Sequence, residues 1–282
     1  MPTHAHEAGA SGSDRSVFLR PSAGVELLHA YFRRHVYARH AHEGMALALV
    51  DFGVAAFDCA GRRHVAPSGS AFLIRPGEIH TGRAATQEGY RYRVLYLAPD
   101  AVRRFAGVHE SAVRLGNGLV DDRRLARTLA QAHDALTVPA ASELAGETAL
   151  LRIGSVLAGR TTDGRVAPGK GAGGPTGAVR IARDYLHAAP ETDISLWQLA
   201  EVSGVSVHHL VRSFSAAMGM PPHAYQIQLR VWRARSLLAE GRSLSEVAQL
   251  VGFYDQPHFT RVFKRHTGVT PGQFLVAREA VR

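Results

Sequence analysis

Two short segments in the second half of the chain carry side chains suited to contacting the edges of DNA bases. The candidates are His208, Val211, Arg212 and Ser215 in the first segment, and Gln256, Pro257, Thr260, Arg261 and Lys264 in the second. Arginine can form two hydrogen bonds with guanine and glutamine can form two with adenine, whereas the methyl groups of valine and threonine can contact thymine. These residue types therefore favour readout of a DNA major groove, provided that one helix face presents each set.

A second group of polar residues lies in the first half of the chain. His40 and His42 alternate on a predicted strand, so their side chains point to the same side, and His80 follows the turn Pro76-Gly77. Three imidazoles can bind a divalent metal, a small molecule or one another. In the segment YRYRVLYL, alternation places Tyr92 and Tyr96 on one face, where aromatic walls suit either a small ligand or an ordinary core.

The two candidate DNA-reading segments lie in an internal repeat with a period of 48 to 49 residues. Leu196, Leu199, Ala200, Gly204, Phe214 and Gly219 recur as Leu244, Val247, Ala248, Gly252, Phe263 and Gly268. Each unit predicts a capped helix, a sharp turn at glycine and a second helix beginning near Ser206 or Asp255, which together form a helix-turn-helix. The alternative interpretation is two helical hairpins whose polar faces are merely solvated.

Within each predicted second helix, apolar residues spaced i, i+4 must face the core. These pairs are Leu210 with Phe214 and Phe259 with Phe263. The candidate base-reading residues between them therefore face outward. The segment HAYQIQLRVWRARSLLAEG between the two motifs is long enough for one continuous helix of roughly 17 residues, about 26 Å long. We expect it to act as a rigid spacer.

The first half of the chain has a different pattern, in which short apolar segments are separated by Gly and Pro turn signals. This pattern predicts an antiparallel barrel or sandwich. From residue 121 the apolar period becomes helical, with a break at Pro139, which predicts a helical pair closing this domain. The fold class is thus α+β. We predict a mobile arm over residues 1–16, a barrel domain over 17–158, a Gly-rich linker over 159–177 and an all-helical domain over 178–282.

Composition limits the class of protein further. The net charge of +9 and the isoelectric point near 10.3 favour a polyanionic partner, either nucleic acid or anionic lipid. Cys59 is the single cysteine, which excludes an intramolecular disulfide and a cysteine-based zinc site. With no apolar leader or membrane-length segment in the sequence, we expect a soluble cytoplasmic protein without a membrane partner.

The helical repeat resembles the AraC/XylS family of bacterial transcriptional regulators over residues 178–277, most characteristically in VGFYDQPHFTRVFKRHTGVTPGQF, residues 251–274. The resemblance implies that Lys264 and Arg265 lie near phosphate. It also implies that seven of the outward residues face bases: His208, Val211, Arg212, Gln256, Pro257, Thr260 and Arg261. It also implies double-stranded promoter DNA, a small-molecule effector, RNA polymerase and a second copy of the chain as partners, and an activator role. One departure is Ser215-Ala216-Ala217-Met218, where the family usually has basic residues; it predicts weaker backbone contact by the first motif.

The histidine segments resemble a cupin barrel of the kind that AraC-type sensor domains carry. That resemblance implies effector contacts by His40, His42, His80, Tyr92 and Tyr96. Metal-binding cupins also have a glutamate several residues after the second histidine, and here the nearby acid is Glu43, which alternation points the opposite way. We therefore expect no metal, no cofactor and no enzymatic activity.

Two alternative functions stay open at the level of sequence. The first is a metal-dependent cupin enzyme fused to a DNA-binding domain. The second is a constitutive DNA-binding protein whose ligand-free barrel serves dimerisation alone.

Overall fold

The computed structural model describes residues 13–113, 117–137, 143–160 and 177–279. Most of the predicted arm and linker, and the break at Pro139, lie outside the described residues. The domain boundaries predicted there stay predictions. In the described part of the chain, no helix combines the length and apolar character needed to cross a bilayer.

The first half of the chain forms antiparallel strands, which we call the barrel. Its strands are β1 (Arg15–Ser22), β2 (Val25–Phe32), β3 (Tyr37–His40), β4 (Met45–Cys59), β5 (Arg62–Pro67), β6 (Ala71–Ile74), β7 (His80–Ala84), β8 (Tyr90–Leu97) and β9 (Gly118–Val120). The long strand β4 belongs to both sides of the barrel, because it pairs with β8 and β6 through its first half and with β5 and β7 through its second. A β-bulge between Val50 and Phe52 lies where β4 passes from one side to the other.

Three helices cover one outer face of the barrel: α1 (Pro99–Ala106), α2 (Arg123–Thr137) and α3 (Glu143–Ala158). The predicted helical pair is therefore confirmed as α2 and α3. Leu125, Leu129, Ile153 and Leu157 are buried, whereas Leu151 is 53% exposed. Arg93 of β8 forms ion pairs with Asp51 of β4 and Asp134 of α2, so the charged face of β8 anchors α2 to the sheet.

The second half of the chain is entirely helical in its described part. The helices are α4 (Gly177–Ala188), α5 (Leu196–Val202), α6 (Val207–Met218), α7 (Pro222–Ala239), α8 (Leu244–Leu250), α9 (Gln256–Thr267) and α10 (Pro271–Glu279). Helices α5 with α6 and α8 with α9 are the two predicted helix-turn-helix motifs, and α7 is the single long helix predicted between them. The α+β fold class is thus confirmed.

The helix starts follow the sequence signals with one difference. At α5 the predicted cap is present, and Ser195 and Gln198 form it as a capping box, in which each side chain bonds the other residue's backbone N–H. At α8, Ser243 accepts a hydrogen bond from the Glu246 backbone N–H, but the Glu246 carboxylate does not complete a box. It accepts from Arg242 Nη1 at 2.6 Å instead, because the neighbouring guanidinium is a stronger partner than the Ser243 N–H.

The two halves of the chain share one apolar core. The buried cluster that fills the barrel, including Phe18 and Tyr37, continues into Phe259, Phe263 and Phe274 of the second helix-turn-helix. At the junction the rings of Phe18 and Phe274 stack with their centroids 5.2 Å apart. The second motif is therefore packed against the barrel, whereas α4 to α6 form a core largely of their own.

Candidate functional site

The two recognition helices, α6 and α9, are built in the same way. Ser206 caps the start of α6 and Asp255 caps the start of α9, and each side chain accepts a hydrogen bond from a backbone N–H three residues later. Gly219 and Gly268 end the two helices in the left-handed conformation. Local sequence thus fixes the rotation of each helix, and with it the residues that face outward.

The predicted base-reading residues lie on the outward faces. Exposed residues are His208 and Arg212 on α6, and Gln256, Pro257 and Arg261 on α9; Val211 and Thr260 are partly buried. Of the phosphate candidates, Arg265 is exposed and Lys264 is partly buried. Within the described residues, neither Arg212 nor Arg261 has an ion-pair partner, so both guanidinium groups are available to a ligand.

Two exposed aromatic residues near these helices were missed by the sequence reasoning. Tyr254, which immediately precedes the cap of α9, is 94% exposed, and Trp197 in the first turn of α5 is 78% exposed. The signal was present in the sequence, because each position lies outside the inward-facing pattern of its motif.

Arg230 of α7 fixes the two motifs relative to each other. It is 6% exposed and donates to the backbone carbonyls of Pro190 (2.8 Å), Gly252 (2.6 Å) and Thr192 (3.2 Å). Pro190 and Thr192 precede the first motif, and Gly252 lies in the turn of the second. The spacer helix is therefore rigidly attached at both motifs, as two recognition helices acting on one duplex require.

All five predicted effector residues line one cavity inside the barrel. His40, His42, His80, Tyr92 and Tyr96 surround a space of about 50 Å³. The hydroxyls of Tyr37 and Tyr92 are hydrogen bonded at 2.6 Å, and burial raises the pKa of both tyrosines well above the usual range. The tyrosines are thus neutral hydrogen-bonding groups. A metabolite-sized ligand needs several hundred Å³, which this inner cavity does not provide.

A larger cavity opens where the barrel meets α7. It measures about 480 Å³ and shares His42 and Tyr96 with the inner cavity, while Arg235 and Ala239 of α7 contribute the opposite wall. Glu26, on the barrel side, forms ion pairs with both Arg20 and Arg235. The outer cavity therefore carries several charged side chains on walls that are otherwise largely apolar, has the size of a small-molecule site and is lined by both halves of the chain.

The residues that join the halves at this cavity were not identified from the sequence. Gln228 of α7 is 3% exposed, and its side-chain oxygen accepts a hydrogen bond from the Ala41 backbone N–H at 3.1 Å. Arg235 occupies an unremarkable position in a basic helix. Neither Gln228 nor Arg235 lies in a sequence motif that predicts its contact, because both contacts depend on how α7 packs against the barrel.

Comparison with known proteins agrees with this arrangement. Residues 22–153 match the AraC-like ligand binding domain, and residues 199–277 match a helix-turn-helix domain. The chain is 42% identical to the transcriptional regulator RipA of Corynebacterium glutamicum over 99 residues, which are 35% of this chain but 30% of RipA. It is 24% identical to the uncharacterized transcriptional regulator YbfI of Bacillus subtilis over 86% of this chain and 89% of YbfI.

Among solved structures, ToxT from Vibrio cholerae is similar over 91% of this chain and 98% of ToxT, with a TM-score of 0.52 and 12% sequence identity. At that identity the likeness concerns the fold alone. Both halves of the chain, and their order, thus agree with one architecture: a ligand-binding barrel followed by two helix-turn-helix motifs. The chain belongs to the AraC family of transcriptional regulators.

Proposed function

We propose that this protein regulates transcription by binding promoter DNA through α6 and α9, under the control of a small polar effector in the outer cavity. The observation that carries the proposal is the composition of that cavity, whose walls come from the barrel and from the helix that joins the two motifs. A ligand there contacts both halves at once. Its binding free energy therefore depends on how the halves are docked, which is the requirement for an effector to change DNA binding.

The lining of the outer cavity indicates the class of effector. Arg20 and Arg235 offer guanidinium donors, and Glu26 and Glu43 offer carboxylate acceptors. Tyr96 and His42 add an aromatic wall with polar edges. This combination favours a compact metabolite that carries both donors and acceptors over a purely apolar ligand.

DNA recognition is tested with the full chain on a selected binding site and a panel of singly substituted sites. Arg261→Ala and Gln256→Ala each lose discrimination at particular base pairs, at a cost of about 1 to 3 kcal/mol per good bidentate contact. Lys264→Ala is the matched control, since loss of a phosphate contact weakens all sites alike. Equal losses across the panel for Arg261→Ala would show that Arg261 contacts the backbone and not a base.

Effector control is tested by a thermal-shift screen of polar metabolites, followed by DNA binding with and without the compound that stabilises the protein. His42→Ala and Tyr96→Ala weaken the response, because both side chains line the outer cavity. If both variants respond like the unmodified protein, the effector binds elsewhere. A screen without any stabilising compound would favour the alternative of a constitutive DNA-binding protein.

The homodimer and the contact with RNA polymerase are extensions of this proposal. Support for a dimer comes from the groove between α2 and α3, whose lining includes Ala132, Ala135 and Ala149, and separately from the exposed Leu151 of α3. Leu151→Glu therefore lowers the sedimentation coefficient if this face pairs two copies. An activator role, with RNA polymerase as partner, is what membership of the family leads us to expect, and promoter activity measured in a deletion strain tests it.

A further inference from the structure

Three histidines converge at one point inside the barrel. His40 ends β3, His80 begins β7 directly opposite in the antiparallel pairing, and His42 follows two residues after His40. The ring centroids are 4.2 Å apart for His40 and His80 and 4.8 Å apart for each ring with His42. One ring nitrogen from each residue lies within 4.8 Å of the other two. Zinc–nitrogen bonds of about 2.0 to 2.1 Å hold two ligand nitrogens no more than about 4.2 Å apart, so a small inward shift of the rings would bring all three onto one ion.

The backbone fixes the tautomer of two of these rings. His40 Nδ1 lies 2.8 Å from the Ala38 carbonyl, and His80 Nδ1 lies 2.9 Å from the Glu78 carbonyl. Because a carbonyl oxygen can only accept, both Nδ1 atoms carry a proton and both Nε2 atoms carry a lone pair. Histidines that bind metals are typically oriented in this way, by donating the second ring nitrogen to a carbonyl or carboxylate.

The same surroundings keep the rings uncharged. Burial lowers the pKa of His80 to about 4, against the opposing hydrogen bond to Glu78. Burial also lowers the pKa of His40 and His42 well below the usual range, and the neighbouring imidazoles act in the same direction. All three rings are therefore neutral near pH 7, and an imidazole must be neutral to bind a metal.

We propose that His40, His42 and His80 bind one divalent transition-metal ion of the zinc type, with water completing the coordination. Three imidazoles and one water form a complete set for such an ion, so the glutamate whose absence argued against a metal is not required. The inner cavity of about 50 Å³ beside the rings has room for the ion and its water. No reaction is assigned to this ion.

The position of this histidine site connects it to the DNA-binding half. Ala41, between His40 and His42, donates its backbone N–H to Gln228 of α7. Helix α9 also packs against β3, because Gly268 at its end lies against the ring of Tyr37. An ion at this site therefore tightens the end of β3 on which both α7 and α9 rest. If the proposed function holds, metal occupancy also favours the docked arrangement of the two halves.

Cobalt(II) is the probe for the site, because tetrahedral Co²⁺ absorbs visible light and reports its own coordination. Full-length protein is stripped with a chelator and titrated with Co²⁺ and then with Zn²⁺, and the metal-dependent shift of the melting temperature is recorded in parallel. We expect one equivalent to bind, with tetrahedral absorption bands that Zn²⁺ abolishes. His42→Gln and His80→Gln each bind at least tenfold more weakly and lose the thermal shift.

Two controls separate this site from other histidines. His64→Ala removes a ring that stacks on Phe57 in the barrel wall, outside the histidine site, and retains Co²⁺ binding. A chain with His4→Ala and His6→Ala retains it as well. Circular dichroism of each variant shows whether a loss of binding is caused by misfolding. If one of the two ligand variants, His42→Gln or His80→Gln, fails to fold, the other still tests the site.

The proposal is overturned if the stripped protein binds no Co²⁺, or if binding survives in both His42→Gln and His80→Gln. It is also overturned if binding disappears with His4 and His6. None of these outcomes affects the DNA-site panel, so failure of the metal site and failure of the proposed function are distinguishable.

Discussion

Replacing Gly268 by alanine is expected to separate the second helix-turn-helix from the barrel. Gly268 ends α9 with φ of 79°, and a Cβ atom built there lies 2.1 Å from the hydroxyl oxygen of Tyr37 on β3. Tyr37 cannot easily retreat, because it is buried, hydrogen bonded to Tyr92 and stacked on His40. The end of α9 must move away from β3 instead.

The magnitude follows from two separate terms. A residue other than glycine in the left-handed region costs roughly 1 to 2 kcal/mol. Inserting a methyl group into a packed contact typically costs a further 1 to 3 kcal/mol. Gly268→Ala is therefore expected to lower the free energy of unfolding by about 2 to 5 kcal/mol.

Gly107 supplies the matched control. It ends α1 in the same left-handed conformation, with φ of 67°, but a Cβ atom there meets nothing within 4 Å. Gly107→Ala thus measures the backbone term alone, about 1 to 2 kcal/mol. Both variants are compared in the full chain by urea unfolding, and small-angle X-ray scattering records whether the radius of gyration increases on separation.

A second variant identifies the contact. Tyr37→Phe removes the hydroxyl oxygen but leaves the ring carbon Cζ, 3.0 Å from the new methyl group, so it relieves the clash in part. The double variant is expected to be more stable than the sum of the single effects by about 1 kcal/mol. Equal costs for Gly268→Ala and Gly107→Ala, with no change in scattering, would refute the contact between α9 and β3 in solution.

Two further predictions concern buried polar groups. Arg230→Lys lowers the free energy of unfolding by about 2 to 4 kcal/mol. The reason is that an ammonium group cannot reach the carbonyls on both sides of α7 and leaves some of them unpaired. Urea unfolding measures this loss, and Arg233→Lys, at an exposed neighbouring position, is the control. His133, on the buried face of α2, has its pKa lowered to about 4, chiefly by burial and then by Arg93 and His29, while a hydrogen bond to Leu28 and the charge of Asp51 oppose the shift. The unfolded chain therefore binds the extra proton first, and stability falls as the pH drops from about 6.5 towards 4, by up to about 3 kcal/mol for this residue. His133→Leu flattens the pH dependence of the urea midpoint in that interval, and an unchanged slope would contradict the assignment.

The recognition helices could be predicted from the sequence because their signals are local. Capping residues, glycine turns and apolar pairs at i, i+4 fix the rotation of α6 and α9, and therefore the outward position of Arg212 and Arg261. The repeat added a second, independent instance of each signal. The strands and the helical pair of the barrel were predictable for the same reason, since alternation and period depend on residues close in the chain.

The junction between the halves was decided by tertiary structure alone. Gln228 and Arg235 meet Ala41 and Glu26 across roughly two hundred positions of sequence. The residues adjacent to them in sequence give no indication of these contacts. The outer cavity exists only because α7 closes one end of the barrel, so sequence patterns could not predict its size or the charged residues that meet in its walls.

The histidine site lies between these two cases. Alternation predicted that His40 and His42 share one side of a strand, but β3 ends at His40 and His42 lies in the segment that follows, although both rings reach the same site. The approach of His80 depends on the pairing of β3 with β7, and the orientation of the rings depends on the carbonyls of Ala38 and Glu78. Sequence thus supplied the three ligand types, while strand pairing brought their ring nitrogens within reach of one ion, because non-local register is set by the packing of the whole barrel.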